Sequence, residues 1–165
     1  MTTKTIQLLA SLVFIGLTSM SALQAHTDKA HVAVADAWVR ATVAGQKGTG
    51  GFMKLTARED LRLVRVSSPV AGVGEVHEMR MSANNVMEMR PVEGLDLPKG
   101  MTVELKPGGY HLMLMDLKQR LTKDSTVLLT LHFKNKNGQE SKLDVKVPVD
   151  LQPSTGEASK PMHQH

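Results

Sequence analysis

From about residue 32 the chain runs in short stretches where apolar and polar residues alternate, and none shows a convincing helical period. A period of two places successive side chains on opposite faces of a strand. On that basis "HVAVADAWVRAT", "GGFMKLTA", "LRLVRVSSP", "GEVHEMRM", "VMEMRPV", "MTVEL", "HLMLM", "STVLLTLHF" and "ESKLDVKVPV" read as strands, the first interrupted near Asp36. Turn signals separate them. "SANN" suits a hairpin, because Asn tolerates left-handed backbone, and "LPKG", "KPGG" and "KNKNG" are further turns. "LTKD" reads as another turn, and "MDLKQRL" has room for one helical turn. Many short strands punctuated by turns predict an all-β antiparallel sandwich or barrel.

The two ends break this pattern. Residues 1–25 carry one Lys, an apolar run from Ile6 to Leu17 and small residues up to Ala25, the organisation of a secretory signal peptide. The run is too short for a comfortable membrane span. Cleavage after Ala25 predicts a mature chain that starts at His26, is exported, and carries no membrane span. From about Gln152, "QPSTGEASKPMHQH" has no apolar periodicity and reads as a disordered C-terminal tail. The expected organisation is a signal peptide over 1–25, one domain over 26–151 and a tail over 152–165.

Composition narrows the chemistry. Export permits disulfides, yet the chain has no cysteine, so stability must come from packing. The same absence excludes blue-copper centres, zinc–thiolate sites and cysteine nucleophiles. The formal charge is +4, but basic residues are interspersed with acids, as in "AREDLRLVR". Beyond Phe14 in the signal segment, the aromatics are Trp38, Phe52, Tyr110 and Phe133. That is poor material for stacking bases, and no nucleic-acid partner is expected.

What remains is a pattern of sulfur. In "YHLMLM", Tyr110, Leu112 and Leu114 would line one strand face and His111, Met113 and Met115 the other. His77, Met79 and Met81 repeat the H-x-M-x-M order, and Met87 and Met89 alternate on the strand that "SANN" would fold back beside them. Alternate residues lie ~6.5–7 Å apart on one face, so two long side chains can converge on one ion. Thioether and imidazole without thiolate favour Cu(I), whereas calcium and magnesium want oxygen. The competing reading is core packing, in which Met fills gaps and a histidine is structural. For His132 in "LLTLHFKN" the structural reading is the stronger.

"DAWVRAT", "GGFMKLT", "VHEM…MEMRPVE", "LPKG" and "LKPGGYHLMLMDL" together resemble, in order, the periplasmic copper chaperones called PCuAC, associated with copper delivery to cytochrome c oxidase. The resemblance spans most of the chain beyond residue 25. It implies a cupredoxin-like β-sandwich of Greek-key type lacking the cupredoxin cysteine, with a shallow Cu(I) site. The family motif is a His, ten residues, a Met, twenty-one residues, then H-x-M. His111 and Met113 match its end and Met89 its first Met, but the expected upstream His position holds Glu78, with His77 beside it. The resemblance therefore implies His77, Met89, His111 and Met113 as ligands, with the additional residue absorbed in "SANN". A shifted hairpin register, or Met87 as the sulfur ligand, is the alternative.

Met162, His163 and His165 form a possible secondary copper cluster in the tail, where histidines suit Cu(II) as well as Cu(I). A mature terminus at His26 would offer amine and imidazole together, with His31 nearby. Three functions compete. The first is a carrier without catalysis that hands copper to an accepting protein, such as a cytochrome c oxidase subunit or assembly factor. The second is a periplasmic storage or resistance protein that buffers several ions through core and tail. The third is a copper oxidase built on His26. "GTGG" at 48–51 is too short to be a nucleotide motif, and the carrier is the expectation.

Overall fold

The computed structural model describes residues 28–151. Strands β1 (Asp28–Lys29), β2 (Val32–Arg40), β3 (Gly48–Ala57) and β4 (Leu61–Ser67) open the chain. They are followed by β5 (Val73–Met81), β6 (Met87–Val92), β7 (Leu95–Leu97) and β8 (Thr102–Leu105). Strands β9 (His111–Met115), β10 (Thr126–Asn135) and β11 (Glu140–Asp150) complete the series. The described residues hold no helix, so "MDLKQRL" forms none of the helical turn it had room for. The two shortest strands, β1 and β7, carry too few residues to show alternation and were not legible as such.

The strands form a cupredoxin-like β-sandwich with the path β6-β5-β9-β3-β2-β11-β10-β4-β7, β8 also pairing with β3 and β1 with β11. Most pairings are antiparallel. The exceptions are β1 with β11, and the end of β11, where Val149 and Asp150 pair in parallel with Val39 and Arg40 of β2. That short parallel contact joins the two sheets. Between them lies the core, with Phe133, Leu129, Leu131 and Leu63 from one sheet and Leu55, Leu112 and Leu114 from the other, all fully buried. Each apolar side chain buried here contributes ~1.5–3 kcal/mol, which is how a chain without disulfides holds together. Tyr110 is a correction to the expected core face: it lies outside β9 and is exposed.

Two local features shape the outer face of the β2–β6 sheet. Asp36 has φ +51° and the β2–β3 register shifts between Ala35 and Trp38. This bulge is the interruption foreseen near Asp36, and its extra residue reverses the side-chain parity. Val32 and Val34 therefore point inward before it, while Trp38 points outward after it, opposite Phe52. Gly74 sets the second feature: a Cβ there would stand 2.5 Å from the Val66 carbonyl oxygen, so only glycine lets β5 cross β4 this closely.

Candidate metal centre

The outer face of the β6–β5–β9–β3–β2 sheet is built by register. His77 lies opposite His111, Glu75 opposite Met113 and Val73 opposite Met115. Across the hairpin, Met79 faces Met89 and Met81 faces Met87. On the other side of β9, Met113 faces Gly50 and Met115 faces Gly48. Directly paired residues project to the same side, so both histidines and the alternating methionines share one surface. The "SANN" segment makes the tight turn that the pattern requires. Asn85 takes φ +57°, and the Ser82 amide donates to the Val86 carbonyl at 2.8 Å.

His111 is the best-defined donor. It is buried, with its ring between those of His77 (centroids 5.9 Å apart) and Phe52 (6.4 Å). Phe52 stacks on Trp38 at 4.5 Å, and the Arg40 guanidinium lies over both rings. The Phe52 ring folds back over Gly50, where a Cβ would come within 2.9 Å of its Cζ atom. The "GTGG" stretch is thus a bare floor on which an aromatic wall for His111 is laid.

Hydrogen bonding orients each imidazole. His111 Nδ1 lies 3.0 Å from the Gly109 carbonyl oxygen. A carbonyl only accepts, so Nδ1 carries a proton, and in the neutral tautomer the lone pair is then on Nε2. That Nε2 stands 3.1 Å from Met89 Sδ. In that tautomer two lone-pair atoms face each other, an arrangement that a soft cation between them would satisfy. A cation with bonds as short as those of zinc, ~2.0 Å to nitrogen and ~2.3 Å to sulfur, needs a slightly wider gap, and Met89, 49% exposed at the sheet edge, has room to open it.

His77 follows the same logic with the opposite nitrogen. Its Nε2–H donates to Glu75 Oε2 at 2.8 Å, leaving the lone pair on Nδ1, which is buried without a partner. An unsatisfied buried polar atom costs ~1–3 kcal/mol, so its persistence calls for an explanation. A ligated histidine typically has its other ring nitrogen held by a carboxylate or carbonyl, and both imidazoles here are held that way.

The residues named from the sequence are not equally close. His77, His111 and Met89 come together. Met113 shares their face, half-buried next to His111, but its methyl reaches over Gly48, 3.8 Å from where a Cβ there would stand. Met87 pairs with Met81 at the far end of the hairpin, so Met89 is the thioether that meets His111, and Glu78 projects to the opposite face from His77. Among the described residues no three His, Asp or Glu side chains converge as a metal cluster. His26, Met162, His163 and His165 lie outside the described residues. His31 is exposed before β2. Glu75 and the Gly109 carbonyl were missed in the sequence, although the Glu75-x-His77 spacing already put carboxylate and imidazole on one strand face.

His132 is different. Ser67 Oγ lies 2.9 Å from its Nε2 and Arg65 Nη2 3.2 Å from its Nδ1. Burial first, then the charges of Arg65 and Lys142, pushes its pKa below the ordinary value.

Comparison with known proteins agrees with this architecture. The PCuAC domain of PmoF1 is 21% identical, covering 76% of this chain and 98% of its own length, with a TM-score of 0.58. DR1885 of Deinococcus radiodurans is 27% identical: its apo structure covers 88% of this chain and 96% of its own length with a TM-score of 0.54. Its Cu(I) form covers 78% and 81% with a TM-score of 0.50. In sequence, the protein named "Putative lipoprotein Lxx21020" of Leifsonia xyli subsp. xyli is 34% identical over 119 residues, which cover 72% of this chain and 69% of the relative. The family model LpqE-like, described as "Putative lipoprotein LpqE-like", matches residues 32–149. With the fold of PCuAC domains and a family match across nearly all the described strands, the chain belongs to the LpqE-like family.

Proposed function

We propose that this protein is an exported copper carrier that holds Cu(I) through His77, Met89, His111 and Met113 and passes it to an accepting protein. The observation that carries the reading is the pair His111 Nε2 and Met89 Sδ, 3.1 Å apart with lone pairs facing, beside the unpartnered Nδ1 of His77. Imidazole and thioether without thiolate favour Cu(I), and neither thioether needs to lose a proton to bind. The Cu(I) form of DR1885 supports the choice of ion. Met113 joins by a change of rotamer, since its sulfur is on the correct face and its side chain has three soft torsions.

Transfer is ligand exchange at constant oxidation state. Met89 is the exposed ligand, so an incoming thiolate or thioether displaces it first while the buried histidines retain the ion. The copper centre of cytochrome c oxidase is an acceptor of fitting chemistry. Export to the periplasm is consistent with the lipoprotein names in the family and with the signal pattern of residues 1–25. In this reading the domain spans 26–151 and the tail with Met162, His163 and His165 is an auxiliary collector, taking Cu(II) as well. The protein is a carrier and not an enzyme.

The test is an anaerobic Cu(I) competition titration on a chain from His26 to His165 and on one ending at Leu151. One tight equivalent in both is expected. Tight binding only in the longer chain would transfer the function to the tail and overturn the assignment of the sheet residues.

A further inference from the structure

Nothing in the core requires the methionines at the hairpin tip. Met81, Met87 and Met89 are 55%, 47% and 49% exposed, whereas a core-filling methionine such as Met53 is 2% exposed. The only other strongly exposed methionine among the described residues is Met101. The hairpin stacks its thioethers in two cross-strand rungs, Met81 opposite Met87 and Met79 opposite Met89. Its other face is charged, with Arg80 opposite Glu88, Glu78 opposite Arg90, and Arg90 bonded to Glu88 at 2.6 Å. The alternation thus sorts soft donors from hard ones. Directly opposed residues have Cβ atoms ~4.5–5.5 Å apart, and successive rungs are ~6.5–7 Å apart. Long, unbranched methionine side chains at those spacings can bring paired sulfurs onto one ion.

We infer that the Met81–Met87 rung, with Met79, is a second binding site for a soft monovalent cation, Cu(I), through which the ion enters the His77–His111 centre. The inference rests on the copper reading above and extends it. Met89 makes the connection, because it belongs to the inner rung and also meets His111 Nε2. An ion bound by thioethers alone is held more weakly than one that also gains imidazole, so the gradient along the ladder runs from the exposed tip towards the buried histidines. Each step exchanges one thioether for the next donor. The ion remains Cu(I), no electron moves and no proton is released at the sulfurs.

The test follows methionine methyl signals in the full exported chain, selectively 13C-labelled, during anaerobic Cu(I) addition. In the wild type the Met89 methyl is expected to shift during the first equivalent, and the Met81 and Met87 methyls during the second. In His111→Ala the Met81 and Met87 methyls should shift from the first addition, because the deeper site is lost. The double substitution Met81→Leu/Met87→Leu keeps the apolar bulk without sulfur, and should weaken the second hairpin equivalent by about 10-fold or more while sparing the first. Met81 and Met87 signals that stay unmoved through two equivalents, while Met89 shifts, would overturn this inference and leave the carrier reading standing. A Met89 signal that does not move at all would remove the carrier site itself.

Discussion

The outer faces of the two sheets each carry histidine in mid-strand, and they use it in opposite ways. On the β4–β10–β11 sheet, His132 gives both ring nitrogens to neighbours, Arg65 and Ser67. On the β5–β9–β3 sheet, His111 and His77 each satisfy one nitrogen with an oxygen acceptor and keep the other for something else. The chemical difference is small, a guanidinium and a hydroxyl in place of a carbonyl and a carboxylate. Its consequence is large: Arg65, which can only donate, consumes the one lone pair of the neutral His132 ring and Ser67 Oγ accepts from the other nitrogen, whereas a lone acceptor selects the tautomer that leaves the lone pair open. What sets His111 and His77 apart from His132 is the lone pair left over, more than burial or strand position.

The sharpest way to break this contrast is to remove each ring in turn. His111→Ala is expected to lower Cu(I) affinity by about 100-fold or more, read by competition titration. His132→Ala should leave affinity unchanged while lowering unfolding stability by about 1 kcal/mol, the scale of its lost hydrogen bonds. Equal effects of the two on copper would dissolve the distinction between the faces.

Sulfur gives the next largest effect. Met89→Leu and Met113→Leu preserve bulk and are expected to weaken Cu(I) binding by about 10-fold each. Met101→Leu, an exposed thioether in the turn before β8, should leave it unaltered. A loss at Met101 equal to that at Met113 would mean that exposed thioethers bind indiscriminately.

Glu75→Gln tests the support behind His77. The amide oxygen still accepts from Nε2–H but without charge, so the ring is held less firmly and Cu(I) affinity should fall by about 10-fold, the low end of the about 10–100-fold typical of such partners. An unchanged affinity would show that His77 does not ligate or that its tautomer needs no carboxylate.

The smallest effect is on acid stability. Because the folded state holds His132 below its ordinary pKa of 6.5, its contribution is fully present above that value and is lost as pH falls from there through the lower folded pKa. Thermal unfolding should therefore decline less steeply on acidification in His132→Gln than in the wild type. Parallel curves would show that the ring is not held neutral by its surroundings.

The alternation of apolar and polar positions by itself determined that the described residues fold as strands without helix, with Leu112 and Leu114 inside and His111, Met113 and Met115 on the other face. It also located the hairpin at "SANN" and the break at Asp36, since a period of two and a left-handed backbone are local properties written in neighbouring residues. It could not say which of Met87 and Met89 lies against His111, or which way Trp38 points. Those depend on register and on the parity change at the bulge, which are set by pairing between distant strands. Nor could it show that Gly109 and Glu75 choose the tautomers of His111 and His77, because a lone pair acquires its direction only when an acceptor is placed against the opposite edge of the ring.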